Sequence, residues 1–285
     1  MEHYDILIIG GGAAGIAAAK ACAGFKVLLA DRKSKLGGVL LQCAHRGFGK
    51  NKTGPEYTAG LLTGFPEEIS LALNTTVLSV SESRTALLSG RDFGRREISF
   101  SQLILAAGCR EIPIGALPIA GTRPKGIYTA GQMQEMMNLH GCIPDGPVVI
   151  LGSGDLGLIM AKQLAKAGLA VTLVEKNPEC GGMAKNQRCL QEFPIAFIGA
   201  DTITEVQGFP RISGCTTATG IHIPCKTLLI AAGLRPEREL VTHLADPSWL
   251  HICGNCNTVH PMVEAVIQEG KQAGLSALKN LRGAL

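Results

Sequence analysis

The sequence predicts an α/β protein made of two Rossmann-like domains, the second inserted in the first, with small β-meanders. Two stretches carry this prediction: DILIIGGGAAGIAAAKACAGFKVLLADR at 5–32 and VVILGSGDLGLIMAKQLAKAGLAVTLVEK at 148–176. Each has the pattern of an apolar strand, a glycine turn, a helix and a second strand. Each half also ends in a similar strand, LILAAG at 103–108 and LLIAAG at 228–233, so the chain contains an internal duplication.

In the first half, the apolar run 5–9 predicts a strand, the alanine-rich run 13–23 a helix, and residues 25–30 the next strand. A helix is expected at 55–62. Residues 75–107 then contain four short strand patterns, TTVLSV, TALLS, EISF and QLILAAG. They predict a small meander that leads back to the main sheet.

Prolines and glycines beyond residue 112 interrupt all periodicity, which is typical of a crossing between domains. The prolines are Pro113, Pro118 and Pro124. The predicted domains are residues 1–112 with 235–285, and residues 113–234.

In the second half, the pattern predicts a helix near 183–192, strands within 195–207 and another strand at 227–233. An amphipathic pattern from Pro261 to Asn280 predicts a last helix with proline at its first position. This helix is assigned to the first domain.

Composition favours a compact globular enzyme, with 46% hydrophobic and 18% charged residues. The net charge of +4 is spread along the chain without a basic block, so no nucleic-acid partner is expected. No apolar run reaches the ~18 residues of a membrane span, and MEHYD lacks the basic start of a signal peptide. We therefore expect a cytoplasmic protein whose ten cysteines are reduced thiols.

The first glycine motif has the G-x-G-x-x-G spacing at Gly10, Gly12 and Gly15. In such motifs one glycine makes the tight turn, one lets a pyrophosphate approach the backbone, and one allows close helix packing. The helix N-terminus then faces the phosphates. Asp31 ends the second strand, where a carboxylate accepts hydrogen bonds from a ribose diol.

The second motif repeats this spacing at Gly152, Gly154 and Gly157, with Glu175 at the corresponding strand end. A carboxylate at this position repels the 2′-phosphate of NADP and binds a free ribose hydroxyl. The sequence therefore favours NADH over NADPH, although Lys176 lies next to Glu175.

Over essentially the whole chain, this arrangement resembles the FAD- and NAD(P)-dependent pyridine nucleotide-disulphide oxidoreductases in their compact, thioredoxin-reductase-like form. Four further motifs look like the flavoprotein reductases that accompany glycerol-3-phosphate dehydrogenase, relatives of opine oxidase and proline dehydrogenase subunits. These motifs are GGVLLQCAHRGFG at 37–49, TGPEY at 53–57, AAGCRE at 106–111 and GSGDLGLIMA at 152–161.

The resemblance implies that the first motif binds FAD and the middle one the nicotinamide nucleotide. Asn255 stands where relatives usually have the aspartate of a Gly-Asp pair that binds the ribityl chain. The helix expected from Pro261 would point its N-terminus at the flavin N1 and C2 carbonyl. The implied FAD residues are Gly10, Gly12, Ala13, Ala14, Gly15, Asp31, Arg32, Gly38, Val39, Leu40, Val77, Ala107, Gly108, Asn255 and His260. The implied NAD residues are Gly152, Gly154, Asp155, Leu156, Gly157, Glu175 and Gly233.

The cysteines do not form either redox pair of the family. The stretch before the second motif, GIYTAGQMQEMMN, has no cysteine, and the region after Asp31 offers only Cys43. Cys43 is a catalytic candidate if a neighbour such as His45 lowers its pKa, but a half-buried structural cysteine is the commoner case. Cys253 and Cys256 form the only C-x-x-C, and without a second such pair no metal is expected.

We therefore expect an FAD-dependent oxidoreductase that passes hydride from NADH to flavin and electrons on to a small-molecule or protein acceptor. One alternative is a single-cysteine NADH oxidase or peroxidase using Cys43. Another is a non-catalytic flavin-binding subunit of a larger dehydrogenase complex. The chain ends earlier than the family's longer members, so both a minimal reductase and a core that serves a partner subunit stay open. A homodimer is one option for its assembly.

Overall fold

The computed structural model describes residues 1–283 of the 285-residue chain. The chain folds into two compact units. Unit 1 comprises Met1–Arg110 and the chain from Arg235 onward, and unit 2 comprises Glu111–Leu234. The predicted first domain runs to residue 285, and its residues 284 and 285 lie outside the described part.

Strands and α-helices alternate around the two glycine motifs, and each of these regions is followed by a run of strands without an α-helix between them. The strands are β1 (Glu2–Ile9), β2 (Val27–Ala30), β3 (Ser70–Ala72), β4 (Thr75–Val80), β5 (Thr85–Gly90), β6 (Gly94–Leu105), β7 (Cys109–Glu111), β8 (Ala120–Gly121), β9 (Ile127–Thr129), β10 (Val148–Leu151), β11 (Val171–Val174), β12 (Ile195–Ile198), β13 (Ile203–Gln207), β14 (Gly214–Thr217), β15 (His222–Pro224), β16 (Thr227–Ile230), β17 (Leu234–Pro236) and β18 (Leu250–Ile252). The α-helices are α1 (Ala13–Ala21), α2 (Gly54–Leu62), α3 (Ala130–His140), α4 (Asp155–Lys166), α5 (Ala184–Gln187), α6 (Cys189–Glu192) and α7 (Val263–Gly283). Short 3₁₀ turns cover Gly38–Gln42, Ile114–Ala116, Glu239–Val241 and Gly254–Cys256.

Unit 1 is built on a seven-stranded sheet in the order β3-β2-β1-β6-β5-β4, with β18 also paired to β6. The central strand β1 runs parallel to β2 and β6, and its side chains are buried on both faces. Ile6 and Ile8 belong to one hydrophobic cluster, whereas Leu7 and Ile9 belong to the other. Burial on both faces is the usual state of a parallel strand, and it explains the uninterrupted apolar run in β1.

Two further features of unit 1 match the sequence pattern. β4, β5 and the first part of β6 form an antiparallel meander that continues into the main sheet. Helix α2 begins with a capping box, in which the Thr53 side chain accepts from the Glu56 amide and the Glu56 carboxylate accepts from the Thr53 amide.

Unit 2 repeats the central motif of unit 1. Its five-stranded sheet, β12-β11-β10-β16-β9, is parallel throughout. Val148 and Ile150 of β10 pack into one cluster, and Val149 and Leu151 into another. A second sheet has the order β15-β14-β13-β8. The predicted α/β class, with two Rossmann-like units and the second inserted in the first, is confirmed.

Several predicted elements differ in extent. EISF and the first four residues of QLILAAG belong to the single strand β6, which pairs with β5 in its first part and with β1 in its later part and ends at Leu105. The helix expected at 183–192 is divided into α5 and α6. The last helix begins at Val263 rather than Pro261, so the prediction of proline at its first position is wrong.

Strand β3 and helix α3 were not predicted from the sequence, although signals for α3 are present in it. Thr129 caps the start of α3 by accepting from the Gln132 amide, and Gly141 ends it with a φ of +66°, the left-handed conformation that glycine favours. None of the helices in residues 1–283 is long and apolar enough to cross a membrane.

Candidate cofactor-binding sites

Four neighbouring parallel strands of unit 1 end at the same edge of the sheet. The last residues of β1, β2, β6 and β18 are paired in register. In open α/β sheets, ligands bind in the crevice outside these carboxyl ends. Most of the predicted FAD residues lie on the segments that start here. These segments are 10–15, 31–40, 106–108 and 253–260.

The three glycines of the first motif have three different surroundings. Gly10 has a φ of +104°, and a Cβ on it would lie 2.4 Å from the Ala106 carbonyl oxygen. A Cβ on Gly15 would lie 1.8 Å from the Gly10 oxygen, so this glycine lets helix α1 approach the turn. At Gly12, no described atom lies within 4 Å of the Cβ position. Gly10 and Gly15 are needed for close packing within the protein, whereas Gly12 leaves room for a ligand.

Unit 2 has the same arrangement at its second motif. Gly152 has a φ of +103°, and its Cβ would lie 2.4 Å from the Ala231 oxygen. A Cβ on Gly157 would lie 2.2 Å from the Gly152 oxygen, whereas Gly154 has no described atom within 4 Å of its Cβ position. The duplication therefore extends to the contacts of individual glycines.

The open glycines also precede the helices α1 and α4 as N-cap residues. A glycine has no side chain with which to cap the first N–H groups of a helix, and neither helix has a side-chain cap. Uncapped N–H groups and open space together suit a negatively charged group. Both sites thus fit the pyrophosphate of a dinucleotide.

The two predicted ribose-binding carboxylates are held by equivalent hydrogen bonds. Asp31 accepts from the amide of Gly11 at 2.5 Å and from that of Lys33 at 2.7 Å. Glu175 accepts from the amide of Ser153 at 2.8 Å and from that of Asn177 at 3.1 Å. Both carboxylates are buried.

Glu175 is kept ionised despite its burial. Burial by itself raises the pKa of this carboxyl, but the hydrogen bonds from Ser153 and Asn177, with the charge of Lys176, lower it overall. The charge that the NADH prediction requires is therefore present in the folded protein.

A glycine pair follows each carboxylate at the same distance in sequence. Gly37 lies six residues after Asp31, and Gly181 lies six residues after Glu175. The Gly37 amide donates to the Gly11 carbonyl at 2.7 Å, and the Gly181 amide donates to the Ser153 hydroxyl at 2.7 Å. The first pair lies where FAD residues were predicted, whereas the second pair was overlooked, although the equal spacing was visible in the sequence.

The glycine pairs lie against their own glycine motifs. A Cβ on Gly38 would be 3.0 Å from the Cα of Gly12. A Cβ on Gly182 would be 3.0 Å from the amide nitrogen of Asp155. Asp155, a predicted NAD residue, begins α4, and its carboxylate accepts from the Met183 amide at 2.7 Å.

The segment 38–40 combines a buried and an exposed apolar side chain. Leu40 is buried, and its carbonyl oxygen would be 2.0 Å from a Cβ on Gly54. Val39 is 62% exposed. An exposed valine next to Gly38 is the kind of apolar surface that a bound cofactor covers.

The segment 253–260 is clamped by side chains that were not predicted from the sequence. Glu269 of α7 accepts from the Gly254 amide at 2.8 Å and bonds the His260 Nε2 at 2.6 Å. Arg238 donates to the carbonyl oxygens of Cys256 and Asn257. These contacts join residues distant in sequence, and no local motif marks them.

Asn255, the predicted ribityl residue, takes part in the same network. Its Oδ1 accepts from the His260 amide at 3.0 Å, and its Nδ2 lies 3.8 Å from the Cys109 sulfur. The two predicted FAD residues of this segment are thus connected to each other and, through His260, to Glu269.

The remaining predicted residues are distributed as follows. Ala107 and Gly108 follow β6, and Gly108 has a φ of +78°. Val77 is half-buried on β4, whose first residue donates its amide to the Asp31 carbonyl. The other predicted residues are Ala13 and Ala14, buried in α1; Arg32, exposed after β2; Leu156, half-buried in α4; and Gly233, with a φ of +123°, after β16.

The thiol candidate Cys43 is buried. Burial raises the pKa of its thiol to about 12, and the sulfur donates to the Val39 carbonyl. The His45 ring is tilted against the ring of Phe48, with the ring centroids 5.2 Å apart. Arg46 forms an ion pair with Glu56. A catalytic cysteine needs a lowered pKa, and the surroundings of Cys43 have the opposite effect.

Cys253 and Cys256 are also buried thiols, and burial raises the pKa of each. The Cys256 sulfur donates to the Leu105 carbonyl at 3.0 Å. Within residues 1–283, no group of three or more His, Cys, Asp or Glu side chains is arranged to hold a metal ion.

The fold and the two glycine motifs define a protein with two dinucleotide-binding units. The pyridine nucleotide-disulphide oxidoreductase family matches residues 4–247. The chain therefore belongs to this family.

An opine oxidase subunit of Rhizobium meliloti is 31% identical over 274 residues, which cover 84% of this chain and 52% of that protein. The hydrogen cyanide synthase subunit HcnB of Pseudomonas protegens is 31% identical over 201 residues, covering 67% of this chain and 42% of the relative. The chain thus spans about half the length of these relatives. The thioredoxin reductase structure of Lactococcus lactis superposes with a TM-score of 0.79 at 20% identity, over 97% of this chain and 98% of that one.

These comparisons confirm the predicted superfamily and the two-unit fold. They also confirm that the chain is a member of an oxidoreductase family that uses flavin and pyridine nucleotide.

Proposed function

We propose that this chain is an FAD-dependent oxidoreductase in which unit 1 binds FAD and unit 2 binds NADH. The observation that carries the proposal is the repeated site geometry. In both units an open glycine, Gly12 or Gly154, precedes an uncapped helix, and a buried carboxylate, Asp31 or Glu175, is fixed beside it. Two such sites in one chain suit two dinucleotides.

The residues of each unit have separate tasks in this proposal. The N-termini of α1 and α4 bind the pyrophosphates, and the two carboxylates bind the adenosine ribose hydroxyls. Val39, Asn255 and His260 contact the flavin half of FAD. Bound flavin supplies hydride chemistry, which needs positioning and exclusion of water rather than a protein acid or base.

Electrons then pass to a second acceptor, which we propose is a partner subunit or a small molecule. The names of two relatives, the opine oxidase subunit and the hydrogen cyanide synthase subunit HcnB, describe parts of larger enzymes. These names favour testing a partner protein first as the acceptor. The buried thiol of Cys43 gives no support to a single-cysteine peroxidase.

The test is a visible absorption spectrum of the purified protein, before and after anaerobic addition of NADH or NADPH. We expect a flavin spectrum that NADH bleaches at lower concentration than NADPH. A protein that is colourless and takes up no added FAD contradicts the proposal. A yellow protein that NADH does not bleach supports the non-catalytic subunit instead.

A mutant separates the redox alternatives in the same assay. Cys43→Ser is expected to keep NADH-dependent reduction of an artificial dye. Loss of peroxide turnover in this variant, with dye reduction intact, favours the peroxidase over our proposal.

A further inference from the structure

Ser153 makes the site of unit 2 different from that of unit 1. Ser153 and Gly11 both follow the first glycine of their motifs, and both donate their amides to the ribose-binding carboxylate. Ser153 also donates its hydroxyl to Glu175 Oε2 at 2.9 Å. Gly11 has no side chain, so Asp31 lacks this third bond.

The Ser153 hydroxyl has a second partner. It accepts from the Gly181 amide at 2.7 Å, whereas in unit 1 the corresponding amide of Gly37 donates to a backbone carbonyl. Ser153 is fully buried. Its hydroxyl therefore ties together the carboxylate after β11, the glycine motif and the glycine pair that lies against α4.

The bonds on the two oxygens of Glu175 are unequal. Oε2 accepts from both the amide and the hydroxyl of Ser153, so both of its acceptor positions are filled. Among the donors in residues 1–283, the Asn177 amide is the one bonded to Oε1. One acceptor position of Oε1 is therefore left for a ligand. The serine thus fixes the orientation of the carboxylate and leaves one oxygen able to accept from a ribose hydroxyl.

A fixed carboxylate discriminates between nucleotides more sharply than a mobile one. Rejection of a 2′-phosphate requires the negative charge to stay where that phosphate would lie, and rotation of the side chain relieves the repulsion. A hydrogen bond to a charged group is among the stronger restraints on such rotation.

We propose that Ser153 is a positioning residue that sets the preference of unit 2 for NADH over NADPH by holding Glu175. The inference rests on the proposed function of unit 2. It goes beyond that function because it assigns specificity to a side chain that does not itself contact the distinguishing 2′ group.

The experiment compares dissociation constants for NADH and NADPH on the FAD-loaded protein, measured by anaerobic fluorescence titration after the flavin has been reduced with dithionite, so that neither nucleotide can transfer hydride. In Ser153→Ala, we expect the ratio of the NADPH to the NADH constant to fall about tenfold, the size expected for one hydrogen bond to a charged group. Ser153→Gly introduces the residue that unit 1 has at this position, and we expect the same fall in the ratio. It replaces Ser153→Ala in the experiment if the alanine variant folds poorly.

Thr227→Val is the matched control. It also removes a buried hydroxyl of unit 2, which donates to the Asp145 carbonyl at 2.7 Å, but it leaves Glu175 untouched. We expect this variant to lose thermal stability without a change in the nucleotide ratio, so a general loosening of unit 2 is distinguished from a loss of specificity.

A double variant with Glu175→Gln tests whether Ser153 acts through the charge of Glu175. If Ser153 acts through Glu175, the double variant with Ser153→Ala has the same ratio as Glu175→Gln alone. An unchanged ratio in both Ser153 variants, or a further fall in the double variant, overturns the inference while NADH binding by the wild type still supports the proposed function. A wild type that binds neither nucleotide, or that prefers NADPH, contradicts the proposed function itself and the inference with it.

Discussion

Gly270 in α7 lies directly against the main chain of Ala14 in α1. A Cβ added at Gly270 would be 2.1 Å from the Ala14 carbonyl oxygen. One turn later, a Cβ on Gly274 would be 2.8 Å from the Ala18 oxygen. Because Ala14 belongs to the first glycine motif, this close approach connects the last helix to the candidate FAD site.

We therefore predict that Gly270→Ala separates α7 from α1. The new methyl group cannot fit beside a backbone carbonyl, and overpacking of this kind costs about 1 to 3 kcal/mol. The measurement is the free energy of unfolding in urea. Gly60→Ala in α2 is the control, because its Cβ would meet only the Lys52 Nζ at 3.6 Å. Equal destabilisation by both substitutions contradicts the assigned contact.

Glu269 leads to a prediction about cofactor affinity. Glu269→Ala removes the acceptor of the Gly254 amide and of the His260 ring, and it leaves a buried amide without a partner. We expect FAD to bind roughly 5- to 150-fold more weakly, as the loss of about 1 to 3 kcal/mol implies. The measurement is the FAD dissociation constant from titration of the apoprotein.

The control for this prediction lies on the same helix. Glu264→Ala removes the same charge from the first turn of α7, where the side chain is exposed. FAD affinity in this variant is expected to stay within about twofold of the wild type, as for most surface substitutions. Equal losses in the two variants assign the effect to the charge of the helix rather than to the clamp on segment 253–260.

The glycine motifs were predictable because their function depends on spacing within a few residues. Gly10 and Gly15 contact each other within one turn of six residues, so the spacing in the sequence directly indicates the local structure. The carboxylates at the ends of β2 and β11 could be located in the same way, since each follows a short, recognisable strand.

The clamp on segment 253–260 was not predictable on the same grounds. Arg238 lies 18 residues from the carbonyl that its Nε contacts, and Glu269 lies 15 residues from the Gly254 amide. Both contacts depend on how distant parts of unit 1 pack, and the position of Glu269 depends on contacts of α7 such as that of Gly270 with Ala14. The spacing of residues in the sequence does not indicate such contacts.

The start of α7 shows a third case, in which a local rule gave a wrong boundary. Proline is favourable at the first position of a helix, and Pro261 fits that rule. In the structure, the amide of His260 is instead bonded to the Asn255 side chain, and the helix begins at Val263. The Asn255 side chain thus bonds the residue directly before Pro261, a contact that the rule for proline does not take into account.

The two open glycines give a paired prediction. Gly12→Ala and Gly154→Ala each add a methyl group into space that no described atom occupies, and both residues have extended backbone that any residue adopts. We expect the apoprotein to keep its unfolding free energy within about 0.5 kcal/mol. The methyl group obstructs the pyrophosphate, so Gly12→Ala weakens FAD binding and Gly154→Ala weakens NADH binding.

Each of the two glycine variants is the control for the other. Each variant is expected to change the dissociation constant of one ligand by at least about tenfold, or 1.4 kcal/mol, and to leave the other unchanged. A Gly12→Ala variant that retains FAD but loses NADH contradicts the assignment of unit 1. Loss of both ligands together with lower stability points to misfolding instead.

The buried thiol of Cys43 predicts how stability depends on alkaline pH. Its pKa is raised by burial from 9.0 to about 12 in the folded protein. Between these values the unfolded chain releases a proton that the folded chain retains, so the free energy of unfolding falls as the pH rises. Cys43 contributes a slope of about −1.4 kcal/mol per pH unit in this window.

Cys43→Ala is therefore expected to make the decline between about pH 9.5 and 11.5 shallower by nearly that amount. The measurement is urea unfolding under reducing conditions at several pH values. The small cavity left by the substitution lowers the whole curve but does not change its slope. Cys142→Ala, which removes an exposed thiol, is expected to retain the wild-type slope. If Cys43→Ala declines as steeply as the wild type, the thiol is not shielded from water as the structure has it, and its reactivity has to be reconsidered.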